Sequence, residues 1–175
     1  MRRTAVLVSG EWAEVQLGKP GVVFVAVDDD RSAYDSGHLP GAVWLGWSNL
    51  SDLTSAAASG FASLLSATGI RNDDTVVLYG EVGNRVAAYA YWCFKLYGHE
   101  DVRLLAGGRK KWQADARPVD SHSVSRPPTH YLTSDDDAST TAFRDDLLGG
   151  IGTACLDSRS LEEFIADRTP RHFIG

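Results

Sequence analysis

The sequence predicts an α/β fold in which helices cover both faces of a doubly wound parallel sheet. Three largely apolar runs support this prediction, and they span Val22–Val27, Thr75–Tyr79 and Val102–Leu105. Strands that are buried on both faces are apolar throughout, whereas half-exposed antiparallel strands alternate between apolar and polar residues. The succession of strand and helix at short spacing favours the same architecture.

Capping residues mark the first helix. Ser9 precedes the segment 11–17 and Gly18 follows it, which predicts a helix with an N-cap and a C′ glycine. The later elements follow from apolar periodicity and from glycine or proline stops. In chain order, we predict a short strand at 42–45, a helix at 61–68, a loop at 80–85, helices at 86–97 and 109–116, a helix at 143–148 and a strand at 154–159.

Composition excludes several classes of partner. The chain of 175 residues has a formal net charge of −6 and a pI near 5.3. Such an acidic chain lacks the basic surface that nucleic acid or an anionic membrane needs, so we expect neither as a partner. Two cysteines, Cys93 and Cys155, form no disulfide framework and no metal-binding spacing. We therefore expect a cytoplasmic protein that holds no metal and no cofactor.

The chain divides into segments of different character. Residues 1–118 carry the strand and helix pattern, and residues 119–141 have little periodic apolar pattern, which predicts a linker. Residues 142–175 repeat the beginning, because a helix, a glycine, a strand ending in an acid and then an aromatic residue recur there. We interpret this segment as the start of a second, similar domain, truncated at Gly175.

One motif follows the strand 22–27 and is more than a turn. It reads Tyr34-Asp-Ser-Gly-His38-Leu-Pro40-Gly41-Ala. A second motif, Gly107-Gly108-Arg-Lys-Lys-Trp112, follows the strand 102–105, and a strand ending in Asp157-Ser-Arg159 recurs near the end. In this order the motifs resemble the signature of the rhodanese family, the thiosulfate sulfurtransferases. Tyr34, His38, Pro40, Gly41, Gly107, Gly108 and Trp112 are the residues that match as structural signature positions.

The resemblance implies a doubly wound α/β fold for each domain. It also implies transfer of a sulfane sulfur from thiosulfate to a thiophilic acceptor through a cysteine persulfide on a loop. The matching loop is Gly80–Arg85, where Gly83 and Arg85 correspond to anion-binding positions and Gly80 stands at the position of the nucleophile. Glycine cannot carry a persulfide, and Glu81 adds negative charge that opposes thiosulfate. The family implies that the catalytic cysteine of such a tandem protein lies in the C-terminal domain.

Each of the remaining candidate residues can be interpreted either as a catalytic or binding residue or as a structural one. His38 is either a catalytic base or, as we favour, a structural histidine bonded to backbone near a sharp turn. Cys93 and Cys155 are either nucleophiles or, as we favour, small apolar residues of a helix and a strand. Arg85 binds an anion or is solvated, and Lys110 and Lys111 form a substrate patch or an exposed helix face. Tryptophans more often fill cores or interfaces than ligand cages, and we interpret four of the five, at positions 44, 47, 92 and 112, in this way.

Two functions remain open from the sequence. The first is a sulfurtransferase-family protein that uses a small inorganic sulfur donor when its catalytic C-terminal domain is present, this chain alone being inactive. The alternative is a non-catalytic binding or regulatory module. In both cases we predict no catalytic residue within the chain. Apolar residues of the segment 142–175 are also expected to promote self-association.

Overall fold

The computed structural model describes residues 6–51, 57–81, 83–134 and 141–150, together with Leu156 and Glu162. The chain forms two compact units, Met1–Thr141 and Ala142–Gly175. In the second unit the described residues include one helix, α7 (Arg144–Leu148). The strand predicted at 154–159 and the aromatic residue after it lie outside the described residues, apart from the exposed Leu156.

The first unit contains a five-stranded parallel sheet, as the sequence predicts. Its strands are β1 (Leu7–Val8), β2 (Val22–Asp28), β3 (Val43–Gly46), β4 (Thr75–Tyr79) and β5 (Val102–Leu105), and their order across the sheet is β1-β5-β4-β2-β3. Every pairing between neighbouring strands is parallel. The described helices of this unit are α1 (Gly10–Gln16), α2 (Arg31–Ser36), α3 (Trp47–Ser51), α4 (Ala57–Thr68), α5 (Arg85–Leu96) and α6 (Gly108–Ala114).

Both faces of the sheet are buried, which explains why its strands are apolar throughout. Alternate residues of β2 divide between two cores, so that Val23 and Val25 belong to one and Phe24 and Ala26 to the other. The first core also takes residues of α4 and α5, and the second takes residues of α1, α2 and α6. The helices therefore lie on both faces, and the predicted fold is confirmed.

Some local features differ in extent from the prediction. The helix predicted at 61–68 begins four residues earlier, at Ala57, and the described residues also include the short helices α2 and α3 and the edge strand β1, which the sequence pattern did not indicate. Helices of five or six residues carry too few apolar positions for a periodic signal. Within the described residues no helix has the length and apolar content needed to cross a membrane.

The segment after α6 runs along the first unit. The backbone of His38 exchanges two hydrogen bonds of 2.8 Å with the backbone of Asp120. Further along, the Tyr131 ring is buried in the first core, and its hydroxyl lies 2.8 Å from Nδ1 of His99. The other ring nitrogen of His99 lies 3.0 Å from the carbonyl oxygen of Asp74. Residues 120 and 131, which belong to the predicted linker 119–141, are thus both attached to the sheet domain.

Candidate functional site

The loop Gly80–Arg85 lies at the carboxyl edge of the sheet. Gly80 directly follows β4, and Arg85 is the first residue of α5. Ligands of open parallel sheets bind at this edge, because the loops there diverge and leave a crevice. The loop is therefore the candidate functional site.

Asn84 fixes the shape of the loop. It adopts a left-handed backbone conformation with φ of 59°, and Gly83 before it has φ of 60°. The Oδ1 atom of Asn84 accepts a hydrogen bond of 3.0 Å from the backbone N–H of Gly80, and its Nδ2 atom donates to the carbonyl oxygen of Leu105 at 2.5 Å. One side chain thus joins both ends of the loop to strand β5.

Asp28 accepts a hydrogen bond from a second backbone N–H group of the loop. Its Oδ1 atom accepts a hydrogen bond of 2.9 Å from the backbone N–H of Glu81. The residue is 7% exposed, and its Oδ2 atom is buried without a hydrogen-bond partner among the described residues. Burial raises the pKa of Asp28 to about 6, although the hydrogen bond from Glu81 acts in the opposite direction. The loop amides of Gly80 and Glu81 are therefore already bonded to acceptors of the chain itself.

Arg109 closes the other side of the loop. Its guanidinium forms an ion pair with Glu81 and donates hydrogen bonds to the carbonyl oxygens of Ala33 and, at 2.8 Å, of Gly37. The backbone N–H of Arg109 also donates to the carbonyl oxygen of Gly80 at 3.1 Å. With only 8% of its surface exposed, Arg109 is a buried cation whose charge is balanced by the partly exposed carboxylate of Glu81.

Gly108 shows why a glycine precedes Arg109. Its φ is 57°, and a Cβ atom added there would lie 2.5 Å from the carbonyl oxygen of Gly80 and 2.5 Å from Oδ1 of Asn84. A residue with a side chain would displace the loop. The second signature motif and the loop are thus in direct backbone contact.

Gly80 leaves no room for a side chain. A Cβ atom added there would lie 2.9 Å from the carbonyl oxygen of Val27 and 3.5 Å from Oδ1 of Asp28. The position that the resemblance assigns to a nucleophile is therefore enclosed by the end of β2.

A small cavity of about 170 Å³ lies beside the loop. Its charged lining consists of the carboxylates of residues 28–30, Glu81 and the exposed Arg85. Arg85 is thus the one cation among the described residues that line the cavity, and Gly83 is not among them. Negative charge prevails at the place where the resemblance implies an anion site. No cluster of histidine, cysteine or carboxylate side chains suited to a metal ion occurs in the described part of the chain.

The first signature motif acts in packing. The Tyr34 hydroxyl donates to the carbonyl oxygen of Ala42 at 2.7 Å, and its ring stacks on the His38 ring with centroids 3.8 Å apart. His38 is fully buried, with Nδ1 2.8 Å from the carbonyl oxygen of Tyr34. Gly41 has φ of 75°, which permits the turn into β3.

The remaining candidates lie away from the loop or outside the described residues. Trp112 is 2% exposed and donates from Nε1 to the carbonyl oxygen of Pro118 at 2.7 Å. Cys93 is buried in the first core, and burial raises the pKa of its thiol to about 11, which disfavours the reactive thiolate. Cys155 lies outside the described residues. Lys110 is exposed, and Lys111 pairs with Asp115 at 3.0 Å.

Comparison with known families agrees with this geometry. The profile of the rhodanese-like domain matches residues 9–115. The chain belongs to the rhodanese-like family. The matched region includes the whole loop, both signature motifs of the first unit and all strands from β2 to β5.

Relatives of this rhodanese-like chain carry a common name. A protein of Mycolicibacterium smegmatis named "Putative thiosulfate sulfurtransferase" is 54% identical over 169 residues, which are 94% of this chain and 61% of that protein. A protein of the same name in Saccharopolyspora erythraea is 53% identical, with 94% and 60% covered. The chain therefore spans about 60% of the length of these two relatives.

Among solved structures, the fold is similar to that of SseA from Escherichia coli, whose description names 3-mercaptopyruvate sulfotransferases. The TM-score is 0.70 at 24% identity, and the alignment covers 76% of this chain and 58% of that one. At this identity the likeness supports the fold alone.

Sequence reasoning missed the residues that hold the rhodanese-like loop closed. Asn84 and Arg109 act through bonds to residues 21 and 72 positions away, which no local pattern reveals. Asp28 had a usable signal, because a polar residue that ends a buried strand lies at the same sheet edge as the loop after the neighbouring strand.

Proposed function

We propose that this chain serves a thiosulfate sulfurtransferase as a rhodanese-like domain that does not itself carry the transferred sulfur. The supporting observation is the enclosed position of Gly80, where a Cβ atom would lie 2.9 Å from a backbone oxygen. The names of the relatives support thiosulfate as the donor. A persulfide-forming cysteine is then supplied by a second rhodanese domain, for which residues 142–175 contribute the first part.

The chemistry of the proposed reaction requires a thiolate. That thiolate attacks the outer sulfur of thiosulfate, the sulfur–sulfur bond breaks, and sulfite leaves with the bonding electron pair. The resulting persulfide then passes its sulfur to an acceptor such as cyanide, which restores the thiolate and gives thiocyanate. The loop Gly80–Arg85 offers no thiol, and the buried Cys93 is held in its protonated form.

Weak anion binding by Gly83 and Arg85 remains part of the proposal. Arg85 is exposed at the start of α5, where a helix of 12 residues favours negative charge. The carboxylates of Asp28 and Glu81 beside it oppose that effect, and we therefore propose that thiosulfate is held at most weakly.

The test is an assay of the chain as it stands. Purified chain with thiosulfate and cyanide should form thiocyanate no faster than buffer, and neither cysteine should gain a mass of one sulfur after incubation with thiosulfate. Turnover that Cys93→Ser or Cys155→Ser abolishes would overturn the proposal.

The alternative, a binding or regulatory module, rests on one observation. The acidic cavity beside the loop suits a cationic group better than thiosulfate. An experiment on a protein that contains both this chain and its catalytic partner domain distinguishes the sulfurtransferase role from the regulatory role. The sulfurtransferase role requires that removal of residues 1–118 from that protein lowers its thiocyanate formation, whereas a regulatory module leaves the uninhibited rate unchanged or raises it.

A further inference from the structure

A second cleft lies at the opposite edge of the sheet from the loop. It has a volume of about 330 Å³ and is lined by residues that precede β2, β3 and β4, by Val22 and Phe24 at the start of β2, and by Arg126. Because all strands are parallel, these residues belong to the amino edge, whereas Gly80–Arg85 belongs to the carboxyl edge. All of the lining lies within the first compact unit.

The rim of this cleft is cationic, which is unexpected in an acidic chain. Lys19, Arg71 and Arg126 line it, and Asp74 supplies the one carboxylate among the lining residues that the structure describes. The side chains of Lys19 and Arg71 have no ion-pair or hydrogen-bond partner within the described ranges. Positive charge in a concave site attracts anions more strongly than the same charge on a flat surface, because the low-dielectric walls focus the field.

The carboxylate of Asp74 already has hydrogen-bond and ion-pair partners within the protein. It is 3% exposed, and its Oδ2 atom accepts a hydrogen bond of 2.9 Å from the backbone N–H of Arg71. The Arg126 guanidinium lies 3.6 Å from the same oxygen and donates from Nε to the carbonyl oxygen of Gly69 at 3.0 Å. These contacts hold Arg126 over the cleft and leave a net positive rim.

The floor of the cleft is apolar. Val22, Phe24, Pro20 and Pro40 contribute to it, and Phe24 is 3% exposed. A Cβ atom added at Gly21 or Gly41 would meet nothing within 4 Å, so the backbone there borders open space. A volume of this size, with an apolar wall and a few polar groups, is typical of sites for small molecules.

We propose that this cleft binds a small organic phosphate, with the phosphate group at the cationic rim and a compact apolar body on the floor formed by Phe24 and Pro40. Three cations from three separate segments suit a doubly charged head with three free oxygens, and guanidinium groups match phosphate oxygens in pairs. Arg126 lies beyond residues 9–115, so the site is completed by a residue outside the matched family domain.

Phenyl phosphate serves as the probe for this site. Titration of the full chain, followed by ¹H–¹⁵N NMR, should shift the amides of Gly21, Gly41 and Arg71 and leave Gly80–Arg85 unchanged. Inorganic phosphate and benzyl alcohol, which carry only the head or only the body, should each bind at least about tenfold more weakly. Added salt should weaken the binding of phenyl phosphate.

The variants are matched in charge. Lys19→Gln with Arg71→Gln should weaken phenyl phosphate binding at least about tenfold, and Lys110→Gln with Lys111→Gln should change it less than about twofold. If the double variant fails to fold, the single variant Lys19→Gln, at an exposed position, replaces it and should also weaken phenyl phosphate binding.

Three results would overturn the proposal. They are equal weakening by both pairs of variants, shifts confined to the loop Gly80–Arg85, and inorganic phosphate binding as tightly as phenyl phosphate. A failure of this site leaves the proposed sulfurtransferase role untouched, because that role rests on the opposite edge.

Discussion

The carboxylate of Asp28 accepts a hydrogen bond of 2.9 Å from the backbone N–H of Glu81, a residue 53 positions further along the chain. This contact ties the end of β2 to the loop after β4. In an active loop the same kind of donor would be free to stabilise an anion. In this chain the N–H of Glu81 is already bonded to the buried carboxylate of Asp28. This donor is therefore not free to bind an anion, and the loop also lacks a thiol.

The closed loop predicts that a thiol alone does not create activity. Gly80→Cys should form no thiocyanate from thiosulfate and cyanide, because the added Cβ displaces the loop and the amides of Gly80 and Glu81 stay occupied. Gly80→Ala is the matched control, and both variants should lose about 1–3 kcal/mol of unfolding free energy. Activity in the cysteine variant but not in the alanine variant would contradict this explanation.

Arg109 should be far more important for stability than its neighbour. Arg109→Met leaves the carbonyl oxygen of Gly37 without this donor and Glu81 without its cation, and it removes one of the two side-chain donors to the carbonyl oxygen of Ala33, the other being the Ser36 hydroxyl. We expect a loss of about 2–4 kcal/mol in urea unfolding. Lys110→Met, an exposed position on the same helix, should change the free energy by less than about 0.5 kcal/mol. Similar losses in the two variants would show that the Arg109 contacts contribute little.

Asp28 gives the protein a pH dependence with a defined sign. Because burial raises its folded pKa to about 6, the neutral form favours the folded state. That contribution is full below about pH 4 and is lost as pH rises through about 6. Asp28→Asn keeps an acceptor for the Glu81 amide but does not titrate. The variant should therefore gain stability relative to the wild type between about pH 4 and 7, by about 1–3 kcal/mol. A difference that does not vary with pH in urea unfolding would refute this assignment.

His99 should make the protein more stable as the pH rises, which is opposite to the effect of Asp28. Burial lowers its pKa, so the folded state favours the neutral ring. Its contribution is present above about pH 6.5 and is lost as pH falls below that value, where the unfolded chain takes up the proton. His99→Gln should be less stable at neutral pH but should lose less stability between about pH 7 and 5. His130→Gln, at an exposed position beside Tyr131, is the control and should keep the wild-type slope. Equal slopes for all three proteins would remove His99 as the cause.

The second unit should promote self-association. Phe143, Leu147 and Leu148 are exposed by 71%, 52% and 72%, and apolar side chains clustered in this way favour contact with another molecule. Leu147→Ser with Leu148→Ser should shift the sedimentation profile towards monomer. Leu132→Ser, which removes a residue 61% exposed in the first unit, should not. An unchanged profile in the double variant, or a monomeric wild type at high concentration, would exclude this surface.

The sequence by itself determined the strands β2 to β5, the fold class and the family, but not the edge strand β1. Val22–Asp28 and Thr75–Tyr79 were predictable because burial on both faces demands a nearly uninterrupted apolar run, which is a local pattern. Val102–Leu105 departs from that pattern only at Arg103. The glycine at position 80, where the resemblance to rhodaneses implies a nucleophile, was likewise visible in the chain. Only the tertiary structure decided that the loop is closed, because Asp28, Asn84 and Arg109 reach it from distant segments. It also decided that Lys19, Arg71 and Arg126 line one cleft, since the parallel sheet and the segment after α6 bring together residues up to 107 positions apart. Such contacts depend on how the elements pack, and no periodicity along the chain encodes them.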